Sequence, residues 1–150
     1  MSLKQWLDNG WLRKHITDKQ EISNLLQIVD RDLKDAKEKS ISQDWRFGIA
    51  YNAALKLCAI LLAAEGYRPE RTLQHYRTIL AMPETLGKEK KDDAQYLDTC
   101  RKKRNIAEYD QISIVSETEA EELLKFAKML RKKVLEWLKA KHPELIGKNN

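Results

Sequence analysis

The residues whose types and spacing most clearly suggest a binding or catalytic role lie in the stretch 100–110 of this 150-residue chain. If the stretch is helical, Arg104 follows Cys100 by four residues and precedes Ala107 by three, on a stripe that should face the core. A guanidinium stays charged and is costly to bury alone. Arg104 is therefore expected either to extend outward along its stem, to pair with a carboxylate such as Glu108, or to lie in a cleft that receives a phosphate.

Other catalytic and binding motifs find no support in the sequence. The three histidines are scattered, and neither Cys58 nor Cys100 has a C-x-x-C partner or metal-ligand spacing. The five glycines are isolated, which argues against a glycine-rich phosphate loop. No serine or cysteine can be paired with a histidine as a nucleophile. We therefore predict no metal and no cofactor.

The basic side chains are concentrated in two runs, at residues 101–104 and 131–133. The net charge is +5, from 28 lysine and arginine residues against 23 aspartate and glutamate residues. This modest excess is weak evidence for a nucleic-acid partner. Charge runs on helices are usually solvated faces, so neither run alone predicts a ligand.

Neither a signal peptide nor a membrane span is predicted. The first twelve residues lack an apolar core, and the longest apolar run, residues 57–64, is much shorter than the roughly 20 residues that a span needs. Cys58 and Cys100 fall on apolar helical positions and are expected to be buried free thiols, which fits a reducing compartment. We expect a cytoplasmic protein with no membrane partner.

Hydrophobic periodicity and the scarcity of glycine and proline predict an all-α fold. Capping boxes are predicted at residues 17–20 and 116–119, where a hydroxyl and a glutamine or glutamate are three residues apart. The expected architecture is an antiparallel four-helix up-down bundle with additional short helices. The long helices are expected at about residues 18–39, 42–65, 92–109 and 116–138, and the shorter ones at 3–12 and 70–81.

The whole chain, residues 1–150, is predicted to form one domain. Residues 1–16 should hold a short helix whose tryptophans, Trp6 and Trp11, either dock on the bundle or form a partner contact. Ile112 and Ile114 alternate in the connection after the fifth helix and suggest an extended segment. Residues 142–150 are expected to be a frayed tail.

The motif Arg104-Asn105-x-x-x-Tyr109 follows a predicted bundle and precedes Val115-Ser116 and a helix that carries Ala120, Leu123, Leu124 and Ala127. In this combination the chain resembles the HEPN superfamily over about residues 18–138. It is most similar to the branch of small HEPN-like proteins whose motif is Arg-Asn-x-x-x-Tyr. The resemblance implies an all-α bundle that forms a two-fold dimer, with the motifs of both protomers meeting in one cleft.

Many HEPN members are metal-independent ribonucleases whose motif is an arginine, four residues and a histidine. The resemblance places Arg104 at the arginine position, where it would hold the scissile phosphate, and Tyr109 where the histidine would be. An unperturbed phenol has a pKa of about 10 and is a poor general base at neutral pH. Tyr109 could still orient a phosphate, stack on a base or donate a proton. His75, from another helix, is a candidate for the missing imidazole.

We therefore expect a HEPN-like protein that binds RNA or a nucleotide phosphate in a dimer cleft, as a component of a toxin–antitoxin or defence pair. One alternative is a non-catalytic partner of a small nucleotidyltransferase; another is a metal-independent ribonuclease in which Tyr109 or His75 replaces the usual histidine. Whether the protein is an enzyme stays open, with Arg104 and Tyr109 as catalytic candidates. The predicted phosphate or RNA ligands are Arg101, Lys102, Lys103, Arg104, Asn105, Tyr109 and His75.

Overall fold

The chain is built almost entirely from helices, in a computed structural model that describes residues 2–147. The elements in chain order are α1 (Leu3–Asp8), β1 (Leu12–Lys14), α2 (Lys19–Asp35), α3 (Gln43–Ala64), β2 (Tyr67–Pro69), α4 (Gln74–Leu80), α5 (Met82–Leu86), α6 (Lys91–Tyr109) and α7 (Glu117–Lys141). Short 3-10 turns occupy Lys88–Lys90 and Pro143–Leu145. The predicted all-α fold is confirmed.

Helix α3 is the central element, and it packs against α2, α6 and α7. It is long and apolar enough to cross a membrane by length and composition alone, but 72% of its most apolar window is buried inside the fold. Its apolar side chains therefore serve as the core around which the amphipathic helices assemble. The thiols of Cys58 and Cys100 are free and buried in this core, as predicted.

The helix starts follow the local sequence closely. Ser116 begins α7 with a complete capping box, in which its hydroxyl accepts from the Glu119 N–H and the Glu119 carboxylate accepts from the Ser116 N–H. At α2 the predicted cap is displaced by one residue: the Asp18 carboxylate accepts from the Glu21 N–H at 2.8 Å. The Thr17 hydroxyl instead donates to the Glu21 side chain at 2.6 Å.

Two elements were not predicted, namely the small sheet and α5. Strands β1 and β2 pair antiparallel, with Leu12 opposite Pro69 and Lys14 opposite Tyr67. Helix α5 follows directly after the segment 70–81, where the last of the short helices was predicted. Both elements are short. The two strands depend on pairing with each other, and they are far apart in the sequence, so local patterns do not reveal them.

The N-terminal tryptophans dock on the body of the protein. Trp6 is buried and packs edge-on against Trp11, with the ring centroids 5.5 Å apart. The Arg77 guanidinium of α4 lies over the Trp11 ring at 4.6 Å from its centroid.

The C-terminal tail differs from the expected frayed segment. Leu145 is buried in the 3-10 turn, so the chain beyond α7 still contributes to the core. Residues 148–150 of the predicted tail lie outside the described residues.

Candidate functional site

Arg104 lies on the inner side of α6, where this helix faces α3. Its stem passes over Gly48, whose missing side chain leaves room for it: a Cβ built on Gly48 would lie 4.0 Å from Arg104 Cγ. The Arg104 guanidinium carbon lies 5.6 Å from the centroid of the Tyr51 ring, so the cation rests on an aromatic face. Only 24% of the Arg104 side chain is exposed.

The charge on Arg104 is balanced from within its own helix. Arg104 Nε lies 2.8 Å from Glu108 Oε2, and Nη1 donates to Asn105 Oδ1 at 3.2 Å. The carboxylate lies off the direction of the Nε–H bond, so the buried Nε makes an ion pair but donates no hydrogen bond. Nε is thus buried and held beside the Glu108 carboxylate.

Three further basic side chains, Lys56, His75 and Arg101, lie near the Arg104 guanidinium and form with it what we call the basic cluster. Its members come from α3, α4 and α6. The Tyr51 hydroxyl lies 3.3 Å from His75 Nδ1 and links the cluster to the core. Burial lowers the pKa of His75, and the charges of Arg104, Lys56 and Arg101 lower it further. The cluster thus holds a neutral imidazole beside three cations.

The other basic residues of the run 101–104 have partners of their own. Arg101 Nε donates to the buried carboxylate of Asp98 at 2.7 Å, and Lys102 Nζ lies 3.8 Å from the same carboxylate. Lys103 pairs with Glu119 at the start of α7. Of this predicted basic run, only Arg101 and Arg104 belong to the cluster around His75.

Arg104 also lines a groove of about 550 Å³ between α3, the end of α6 and the connection that leads to α7. Gly48 forms part of its lining, and apolar side chains contribute much of the rest. Its lining residues are Asp32, Ser42, Asp44, Trp45, Gly48, Ile49, Asn52, Arg104, Ala107, Glu108, Ile112 and Ser113.

Asp44 holds the connection in place along the edge of the groove. Its carboxylate accepts from the backbone N–H of Ser113 at 2.6 Å and from that of Val115 at 3.2 Å. Ser113 has a positive φ of 60°, and this local conformation turns its N–H toward Asp44. The Ile112 side chain remains 85% exposed.

The structure brings together some of the predicted site residues and separates others. Tyr51 contacts both His75 and Arg104, and Arg101 lies over the ring of Tyr76 in α4, although nothing in the sequence links α4 to α6. Asn105 contacts Arg104 directly. Tyr109, in contrast, is 72% exposed and does not line the groove. Within one chain, the two ends of the predicted motif therefore face different surroundings.

Three features of the site were missed by the sequence analysis. They are the side chains of Tyr51, Trp45 and Asp98, none of which the sequence analysis singled out. Tyr51 could have been found from its position three residues after Gly48, since both must face α6 if Arg104 does. Trp45 and Asp98 carry no such signal.

The histidines, cysteines and carboxylates in residues 2–147 form no group of three or more that could hold a metal ion. The comparisons with known proteins agree with the helical architecture. The family model described as the HEPN domain matches residues 22–139. No curated protein and no solved structure matches the chain. The matched region runs from the first turn of α2 almost to the end of α7 and contains both the basic cluster and the groove, so the chain belongs to the HEPN family.

Proposed function

We propose that this protein binds RNA or a nucleotide through a phosphate held at Arg104. Membership of the HEPN family is consistent with a function related to nucleotides or RNA. The observation that carries the proposal is the position of the Arg104 guanidinium, which rests on the Tyr51 ring near His75 and Arg101 and lines the groove. Charge-assisted hydrogen bonds from arginine are well suited to phosphate oxygens.

The proposed site is completed by a second protomer. Ile106, Tyr109 and Ile112 are 41%, 72% and 85% exposed, and they follow one another along the end of α6 and the connection after it. A two-fold dimer that covers these side chains would place Tyr109 of one protomer near the groove of the other. Such a dimer would act as a component of a toxin–antitoxin or defence pair.

The test is binding of a fluorescently labelled single-stranded RNA, measured by anisotropy over a range of salt concentrations. We expect Arg104→Ala to weaken binding by about tenfold, the equivalent of one lost charge-assisted hydrogen bond. The slope of the logarithm of the binding constant against the logarithm of the salt concentration should also fall in magnitude by about 0.7, because one phosphate contact is lost. Arg104→Lys should restore charge but not the planar donor geometry, and so recover binding only in part.

Arg13→Ala is the matched control. Arg13 also pairs with a glutamate, Glu70, but it lies on β1, outside the basic cluster and the groove. Both alanine variants lose one positive charge. Equal effects of Arg13→Ala and Arg104→Ala on affinity and salt slope would contradict a phosphate site at Arg104.

A metal-independent ribonuclease is the second candidate function, and the position of His75 favours it. The lowered pKa leaves the imidazole neutral at pH 7, so it can accept a proton. The Tyr51 hydroxyl contacts Nδ1 and holds the ring in place. Incubation with single-stranded and structured RNA in EDTA tests this candidate. We expect cleavage that is lost in His75→Gln and Arg104→Ala; cleavage that persists in His75→Gln would exclude this imidazole as the proton carrier.

The third hypothesis, a nucleotidyltransferase partner, rests on the resemblance alone. The tryptophans that suggested a partner surface are packed against the body of the protein, with Trp6 only 8% exposed. This hypothesis stays a prediction, and it is tested by co-purification with such a protein.

A further inference from the structure

Trp45 is the most unusual side chain of the groove, because 61% of this large ring is exposed. The other three tryptophans contact rings or cations: Trp6 packs on Trp11, Arg77 covers Trp11, and Trp137 lies against His142 at 5.1 Å. No such partner covers Trp45 among residues 2–147. An indole left in water forfeits the burial of a large apolar surface, so its position calls for an occupant.

The groove beside Trp45 has the dimensions and lining of a small-molecule site rather than those of a flat contact surface. Its volume of about 550 Å³ falls in the usual range for ligand pockets, roughly 300–1,000 Å³. Ile49 and Ile112 supply further apolar lining, and the polar groups occur at a few fixed points. This pattern fits a planar, mainly apolar ring with a polar edge.

One polar point is the pair formed by Asn52 and Asp32. Asn52 Nδ2 donates to Asp32 Oδ2 at 2.5 Å, and Arg31 Nε donates to Asp32 Oδ1 at 3.0 Å. These bonds fix the orientation of the Asn52 amide while its carbonyl oxygen keeps its acceptor capacity. A side-chain amide held in this way can bind the donor and acceptor edge of a base.

The second polar point is Arg104 with Glu108. Here a cation that suits a phosphate lies beside a carboxylate that accepts hydrogen bonds. With Asp32 and Asp44, the groove has three carboxylates among its lining residues. Both oxygens of Asp32 and of Asp44 already accept hydrogen bonds from the protein. Glu108 and the Asn52 carbonyl are therefore the acceptors that would favour a base with an exocyclic amino group over a base that offers only carbonyls at its edge.

We infer that the groove is a nucleobase pocket, in which a base with an exocyclic amino group stacks on Trp45 while its phosphate binds Arg104. This inference rests on the proposed function and adds the residue that holds the base. Stacking of a base on an aromatic side chain is sequence-tolerant, so Trp45 supplies affinity. The carbonyl of Asn52 and the carboxylate of Glu108 supply the preference for an amino group.

The experiment compares three single-stranded oligomers of equal length and charge: oligoadenosine, an oligomer of purine riboside, which lacks the amino group, and an abasic ribose-phosphate oligomer. Trp45→Ala should weaken oligoadenosine binding by about tenfold. It should leave binding of the abasic oligomer unchanged. Trp45→Phe retains a ring and should recover most of the loss, and the wild-type protein should bind oligoadenosine more tightly than the purine-riboside oligomer.

Ile16→Ala is the matched control, since Ile16 is 95% exposed and lies outside the groove. Circular dichroism establishes that each variant folds, and sedimentation gives its oligomeric state. If Trp45→Ala binds oligoadenosine like the wild type while Arg104→Ala weakens both oligoadenosine and the abasic oligomer, the base pocket is wrong and the proposed function stands. If Arg104→Ala weakens neither oligomer, the proposed function itself fails.

A further outcome would assign the groove to a protein. If Trp45→Ala changes the oligomeric state and leaves the affinity for oligoadenosine unchanged, Trp45 belongs to an interface between copies of the chain, and the base pocket is overturned. Equal binding of oligoadenosine and the purine-riboside oligomer would overturn the amino-group preference.

Discussion

Replacing Gly48 separates the stability of the fold from the chemistry of the site. Gly48 lies inside α3 and lines the groove next to the stem of Arg104. It is not among the glycines with positive φ, so its backbone suits any residue. A Cβ added there would meet Arg104 Cγ at 4.0 Å, which is ordinary van der Waals contact. Alanine should therefore fit without displacing the arginine.

The expected gain follows from helix propensity. Glycine in a helix interior is about 0.8–1.0 kcal/mol less favourable than alanine. Gly48→Ala should thus raise the free energy of unfolding by about 1 kcal/mol, which corresponds to roughly 2–4 °C in the melting temperature of a domain of this size. Urea denaturation and thermal melting both measure this change.

Gly48→Leu, in contrast, should weaken binding. Leucine is also a good helix former, but its outer carbons extend from the Cβ position into the space of the Arg104 stem and the groove. We expect a folded protein whose RNA affinity, measured by anisotropy, falls by about tenfold or more, because the guanidinium is displaced from its phosphate-binding position. Gly48→Ala is the control, with affinity close to that of the wild type.

Two results would refute this reasoning. A loss of stability in Gly48→Ala would mean that α3 and α6 approach too closely for a methyl group. Wild-type RNA affinity in Gly48→Leu would mean that the groove and the Arg104 position take no part in binding.

Three further predictions concern residues that support or adjoin the site. Asp44→Ala removes the acceptor for the Ser113 and Val115 N–H groups and should lower the free energy of unfolding by about 1.5–3 kcal/mol in urea denaturation. A loss well below about 1 kcal/mol would mean that these hydrogen bonds do not hold the connection in place. Ser116→Ala removes the α7 cap and should cost about 1 kcal/mol in the same assay, and an unchanged denaturation midpoint would contradict it. The lowered pKa of His75 means that its contribution to stability is complete above the unfolded pKa of about 6.5 and is lost as the pH falls through the folded pKa. The wild type should therefore lose stability relative to His75→Gln on acidification, and parallel pH profiles would contradict this.

Local sequence signals predicted the long helices well, and non-local pairing explains most of what they missed. The α7 cap depends on two residues three positions apart, which a sequence displays directly. Strand β1 depends instead on β2, more than 50 residues later, and each strand has only three residues. Leu12 lies next to a helix-like apolar pattern, so the local signal pointed the wrong way.

The site shows the same division between local and non-local contacts. The pair of Arg104 with Glu108 follows from their spacing of four residues, and the sequence predicted it as one alternative. The contact between Tyr51 and His75 joins two helices and has no local signature. Trp45 has no local signature either: it belongs to the first turn of α3 and lines the groove with 61% of its surface exposed.

The ion pair between Arg104 and Glu108 competes only weakly with a phosphate site at the same guanidinium, because the two interactions differ in strength. A partly exposed pair four residues apart on one helix is worth about 0.3–0.5 kcal/mol, and here its geometry leaves Nε without a hydrogen bond. A phosphate that accepts hydrogen bonds from a planar guanidinium gains about 1.5–3 kcal/mol for each charge-assisted bond. Glu108 therefore keeps Arg104 oriented and compensated in the free protein, and it yields when a stronger acceptor arrives.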